Sequence, residues 1–111
     1  MIEIIVQDYL SKNLPVAVYG EFPKEPPQRF VVLDKTNSGR ENHINSSMFA
    51  DQSYAESKLE AAKLNEQVKK VMDSLVELPV VSASRLNSDY PFPDIARKRH
   101  RYQAVYDITH Y

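Results

Sequence analysis

The most regular pattern in the chain lies at its end. Tyr102, Ala104, Tyr106 and Ile108 alternate with Gln103, Val105, Asp107 and Thr109, and Val105 is the only apolar residue of the second set. Period two with one apolar side predicts a half-buried strand over about 102–111. Near the start, Ile2, Ile5, Val6, Tyr9 and Leu10 recur at steps of three and four, which predicts an amphipathic helix over about 2–13 that Pro15 terminates. Val16–Gly20 reads as a short strand. Pro23, Pro26 and Pro27 fix backbone angles and remove donors, so 22–28 should be an extended connection.

Arg29–Lys35 resumes as a strand that is apolar on both faces at its centre. Thr36, Asn37, Ser38 and Gly39 supply turn residues, which predicts a hairpin with a return arm over about 43–50. Ser53 followed by Glu56 has the form of a capping box. Ala61, Leu64, Val68, Val71, Met72 and Leu75 then repeat at helical spacing, so a long helix is expected over about 54–76. A strand at 80–86 and a long loop at 87–98 complete the order.

Helix, three strands, helix and two strands predict an α+β fold. The expected architecture is a single domain over 1–111, with one mostly antiparallel sheet of about five strands and both helices packed on one face. In one register, Val31, Leu33, Phe49, Val81 and Val105 project to the opposite face. An apolar patch there would suit a subunit interface.

Composition mainly excludes. Fourteen Lys plus Arg against fifteen Asp plus Glu give a net charge of -1, so charge-driven binding must be local. With no cysteine, disulfides, thiolate metal sites and a cysteine nucleophile are ruled out. The only glycines, Gly20 and Gly39, leave no phosphate-cradling loop or dinucleotide fingerprint, and no cofactor is implied. No apolar run approaches the roughly 18 residues of a membrane span, and the first residues lack a leader pattern. No membrane association and no processing are expected. His43, His100 and His110 stand singly, without metal-ligand spacing. Asp34, Asp51, Asp89, Asp94 and Asp107 read as turn, loop or strand-surface acids, so no catalytic pair is expected. The strongest local charge is Arg97-Lys98-Arg99-His100-Arg101, suited to contacts with acids on another subunit or to sequence-independent nucleic-acid binding.

Four phrases, with the order of elements, carry a resemblance over nearly the whole chain. They are Pro15-Val16-Ala17-Val18-Tyr19-Gly20-Glu21-Phe22-Pro23, Pro27-Gln28-Arg29-Phe30-Val31-Val32-Leu33-Asp34, Tyr54 to Ala62, and Arg101-Tyr102-Gln103-Ala104-Val105-Tyr106-Asp107-Ile108. The chain resembles the small tail terminator, or tail completion, proteins of long-tailed bacteriophages and prophages. Another small neck or head-tail joining protein of the same virion region is the alternative.

The resemblance implies an α+β fold, no enzymatic activity and a ring of six subunits. Such a ring caps the tail tube and meets two partners, the tail tube protein and the head connector. It would lie in the virion neck, close to DNA, after assembly in the host bacterial cytoplasm. Ring closure needs a heterologous contact between two different faces of the subunit. Aromatic and arginine residues dominate contact energetics, so the expected interface residues are Tyr90, Phe92, Arg97, Arg99 and Arg101, with Arg40 and Glu41 at the hairpin tip.

Overall fold

A computed structural model describes residues 1–111. Helix α1 (Ile2–Asn13) leads into strand β1 (Ala17–Tyr19), β2 (Phe30–Glu41) and β3 (Ile44–Ala55). Helix α2 (Lys58–Asp73), a short 3-10 turn (Ser74–Glu77), β4 (Val81–Pro91) and β5 (His100–His110) follow. The five strands form one sheet in the order β1-β2-β3-β5-β4. Only β1 and β2 are parallel; every other neighbouring pair is antiparallel. The α+β class and the single sheet with two helices are therefore as the sequence predicts.

Both helices lie on one face. Ile2, Val6 and Leu10 of α1 and Leu64, Val68 and Met72 of α2 share a core with Val31, Leu33, Phe49, Ala104, Tyr106 and Ile108 of the sheet. This overturns the expected placement of Val31, Leu33, Phe49 and Val81, which all face the helices. Val105 alone of that set faces away. The run Phe30-Val31-Val32-Leu33 is buried on both sides, so alternation within it does not say which set faces the helices. The far face instead holds a small separate cluster of Phe30, Val32 and Tyr54, flanked by Tyr19 and Phe22.

Three boundaries differ from the sequence reading. The β2–β3 hairpin turns at Asn42 and His43, not at Thr36–Gly39. Residues 37–41 continue as strand past a bulge between Lys35 and Asn37. Asn42 and His43 have φ of 51° and 66°, the left-handed pair that a tight two-residue hairpin turn requires. Glycine tolerates that region without the steric penalty of a Cβ. Allowing for glycine's extra entropy in the unfolded chain, His43→Gly is expected to stabilise the protein by about 0.5 kcal/mol, read as a higher urea midpoint.

The long helix begins later than expected. Ser57, not Ser53, caps α2: its side chain accepts from the Glu60 backbone N–H at 3.1 Å. Ser57 and Glu60 have the same spacing as Ser53 and Glu56, and packing decides between them. Tyr54 stacks parallel to Phe30 at 4.6 Å, which keeps residues 53–55 in β3. Glu56 is taken by Arg29, whose guanidinium reaches it at 2.6 Å. Ser57→Ala should therefore cost about 1 kcal/mol. Ser53→Ala should cost nothing or stabilise, because its hydroxyl is buried with no partner. Denaturant titration of the two variants side by side separates these outcomes.

Candidate docking site at the arginine-aromatic end

The expected long loop is instead the upper part of a β-hairpin, strand to Pro91 and a tight turn beyond. β4 extends to Pro91, at an outer edge of the sheet where a missing N–H is tolerated. Beyond it the β4–β5 hairpin continues: the Phe92 N–H donates to Arg101 O at 2.8 Å, and Asp94 and Arg99 exchange bonds of 2.9 and 3.0 Å. Its tip is Ile95-Ala96-Arg97-Lys98. Lys98 turns the chain with φ of 54°, and Ile95 is 83% exposed.

Alternation places Arg99 and Arg101 on one side of this hairpin and the turn brings Arg97 to the same side, over the aromatic cluster of the far sheet face. Phe22 packs edge-on against both Phe30 and Tyr54, at 5.6 and 5.4 Å. Arg97 then lies 4.1 Å above Phe22, and Arg99 lies 5.5 Å from the Phe30 ring. Arg101 is 4.2 Å from Phe92 and 5.6 Å from Tyr54. Each such contact contributes about 0.5–2 kcal/mol and holds a guanidinium over a ring, and only Arg99 of the three keeps its side-chain N–H groups free of a partner within the chain.

One buried acid ties the group together. Asp94 accepts from the Tyr54 hydroxyl at 3.1 Å, from the Arg97 backbone at 3.2 Å and from the Arg97 guanidinium at 3.1 Å. Arg101 stands 3.8 Å away and donates to Tyr54 Oη at 3.0 Å and to Phe92 O at 2.6 Å. Burial pushes the Asp94 carboxyl up, but the Arg97 and Tyr54 hydrogen bonds and the Arg101 charge outweigh it and hold Asp94 below the usual carboxylate range. Burial also pushes the Tyr54 hydroxyl up, so it stays protonated and able to donate.

Five of the seven expected interface residues thus come together. Tyr90 and Phe92 meet edge-on at 5.9 Å, and Tyr90 accepts from Gln103 at 2.6 Å. Arg40 and Glu41 do not join them. They lie beside the turn at the other end of β2, eleven residues from Phe30, or roughly 35 Å of strand. Tyr19, Phe22, Phe30, Tyr54 and Asp94 escape the sequence reading because nothing local marks them as one group. The alternation of Arg97, Arg99 and Arg101 is the signal that could have found the site.

Two expected surface acids are buried. Asp94 is one; Asp51, on the helix face of β3, is the other, fully enclosed and without any hydrogen-bond partner. Burial pushes its carboxyl well above the normal range. Asp89 bonds to Asn65 and Lys69 of α2 rather than resting in a loop. His110 meets Ser47 Oγ at 2.9 Å, with its other ring nitrogen 3.3 Å from the Tyr111 carbonyl. No Asp or Glu side chain orients this imidazole, so the pair lacks the usual third member of a nucleophilic triad. No cluster of three potential metal ligands exists, and no helix is long and apolar enough to cross a membrane. The arrangement offers stacked cations and exposed apolar side chains, the parts of a docking surface. No protein-family model matches the chain, and no curated protein matches it.

Proposed function

We propose that the chain is a structural assembly protein of the tail terminator class, which caps a phage tail tube and joins tail to head as part of an oligomeric ring. One observation carries the reading: arginines preorganised on aromatic rings at one end of a sheet face that no helix covers. Aromatic and arginine side chains held in place before contact are the groups that contribute most to protein association. The four sequence phrases, all within the described fold, add the resemblance to the class.

Light scattering and negative-stain imaging across a concentration series should reveal rings. Purified protein should also restore head-tail joining to an extract that lacks it. A chain that stays monomeric at high concentration and restores nothing refutes the assignment.

A second reading rests on Lys98 and Arg99, which form no ion pair. They would let the hairpin bind nucleic-acid phosphates without sequence preference. With two phosphate contacts, such binding would weaken by about tenfold between 50 and 200 mM salt. The absence of a mobility shift with duplex DNA at low salt ends this alternative.

A further inference from the structure

The far face of the sheet is divided by charge. Its basic end carries Arg97 and Arg99 over Phe22 and Phe30, with Lys98 next to them at the hairpin tip. Past Val32, β2 places Asp34 near mid-strand and, beyond the bulge, Glu41 at its far end on the same face, by their alternation with Val32 and Asn37 and their register against β3. Both acids are exposed, and neither takes part in an ion pair. Asp107 shares this end with Arg85 as its register partner, whereas Asp34 and Glu41 stand opposite Ala50 and Ile44 and face no cation across the strands. Between the two ends runs a neutral strip. Gln52 donates to Gln103 at 3.0 Å, and Gln103 donates to Tyr90.

We infer that copies of this chain associate through the far sheet face, the basic end of one subunit lying on the acidic end of the next. The inference rests on the assembly reading and names the surface that would perform it. Three properties select a second copy as the occupant. The two ends carry opposite uncompensated charges, so one end complements the other when successive copies are displaced along the face, a contact between two different patches of the kind ring closure requires. The molecule measures 43 × 24 × 24 Å, so this face spans on the order of 1,000 Å² and each end about half of it; a basic end lying on an acidic end buries roughly 1,000 Å² in all, the lower bound of a specific interface. The aromatic rings are already capped by guanidiniums, which removes them as a base-stacking platform. With a net charge of -1, the rest of the chain repels a polyanion.

A charge swap tests this. Association of the wild type, of Lys98→Glu/Arg99→Glu and of Asp34→Lys/Glu41→Lys would be measured by sedimentation velocity at low salt. Circular dichroism and urea midpoints would be recorded for each. Either variant alone should associate at least tenfold more weakly than wild type. An equimolar mixture of the two should regain wild-type association as mixed particles, which requires both to be folded. The neutral pair Lys98→Gln/Arg99→Gln should lose association as well, by a smaller factor.

Wild-type rings that persist in both variants overturn this inference and leave the ring reading standing. A two-subunit wild-type particle that obeys the swap supports the surface and refutes the ring. A wild-type chain that binds duplex DNA but remains monomeric overturns both.

Discussion

Asp94→Ala is expected to lose about 3 kcal/mol of folding stability, the largest effect of any single change at the arginine-aromatic end. Its side chain is 6% exposed, and Arg101 beside it is only 12% exposed. Removing the carboxylate leaves the Tyr54 hydroxyl without an acceptor, the hairpin tip without its bond to the Arg97 backbone, and a largely buried guanidinium without a counter-charge. Asp94→Asn keeps the shape and some of the bonds, so its loss should be smaller. The sign with pH follows from the direction of the shift. A carboxylate held below its unfolded value stabilises the fold above pH 4 or so, and that contribution fades as pH falls through the folded value. Wild type and Asp94→Ala should therefore converge in acid and separate toward neutrality in urea titrations. A constant gap from pH 2 to 7 would show that the charge of Asp94 is not the source.

The second large effect has the opposite sign. Asp51→Asn is expected to stabilise the protein at neutral pH by about 2 kcal/mol or more, because it removes an ionisable group from a fully enclosed site without partners. In the unfolded chain this carboxyl ionises near its ordinary value of about 3.9, whereas burial keeps it protonated in the fold. Its contribution is thus intact below about pH 4 and falls by about 1.4 kcal/mol per pH unit above it, up to the folded value. The difference between variant and wild type should be near zero at pH 3.5 and grow steadily toward pH 7. Parallel profiles would mean that Asp51 is ionised in the folded protein. Burial also pushes the Tyr106 hydroxyl well up. It donates to Asp73 at 2.8 Å and to the Lys69 carbonyl at 3.1 Å, and so helps fasten α2 to the sheet.

How far the sequence could be read depends on which signals were unique. α1 and the closing strand had one periodicity each and no competitor, and both lie within two residues of where the pattern put them. The start of α2 had two equivalent capping boxes, and only the contact between Tyr54 and Phe30 selects the second. Thr36–Gly39 has better turn chemistry than Asn42–His43. Even so, the strand continues through it, because a bulge absorbs the mismatch and pairing extends to Glu41. Which side of β2 meets the helices is a tertiary fact that a four-residue apolar run cannot encode. The same holds at the site. The basic run was visible as charge, but the carboxylate that organises it comes from Asp94, and Tyr54 and Phe22 come from segments 40 and more residues away.

The strand order also bears on how the polypeptide reaches this state. β5 lies between β3 and β4, so β4 has no partner and β3 only β2 until residues 100–110 leave the ribosome. Until then the nascent chain offers only the β1, β2 and β3 ladder, with the inner edge of β3 unpaired. Contacts of such long sequence separation form slowly and leave a sticky intermediate. The final insertion is therefore the step at which a chaperone would matter most to the yield of this protein.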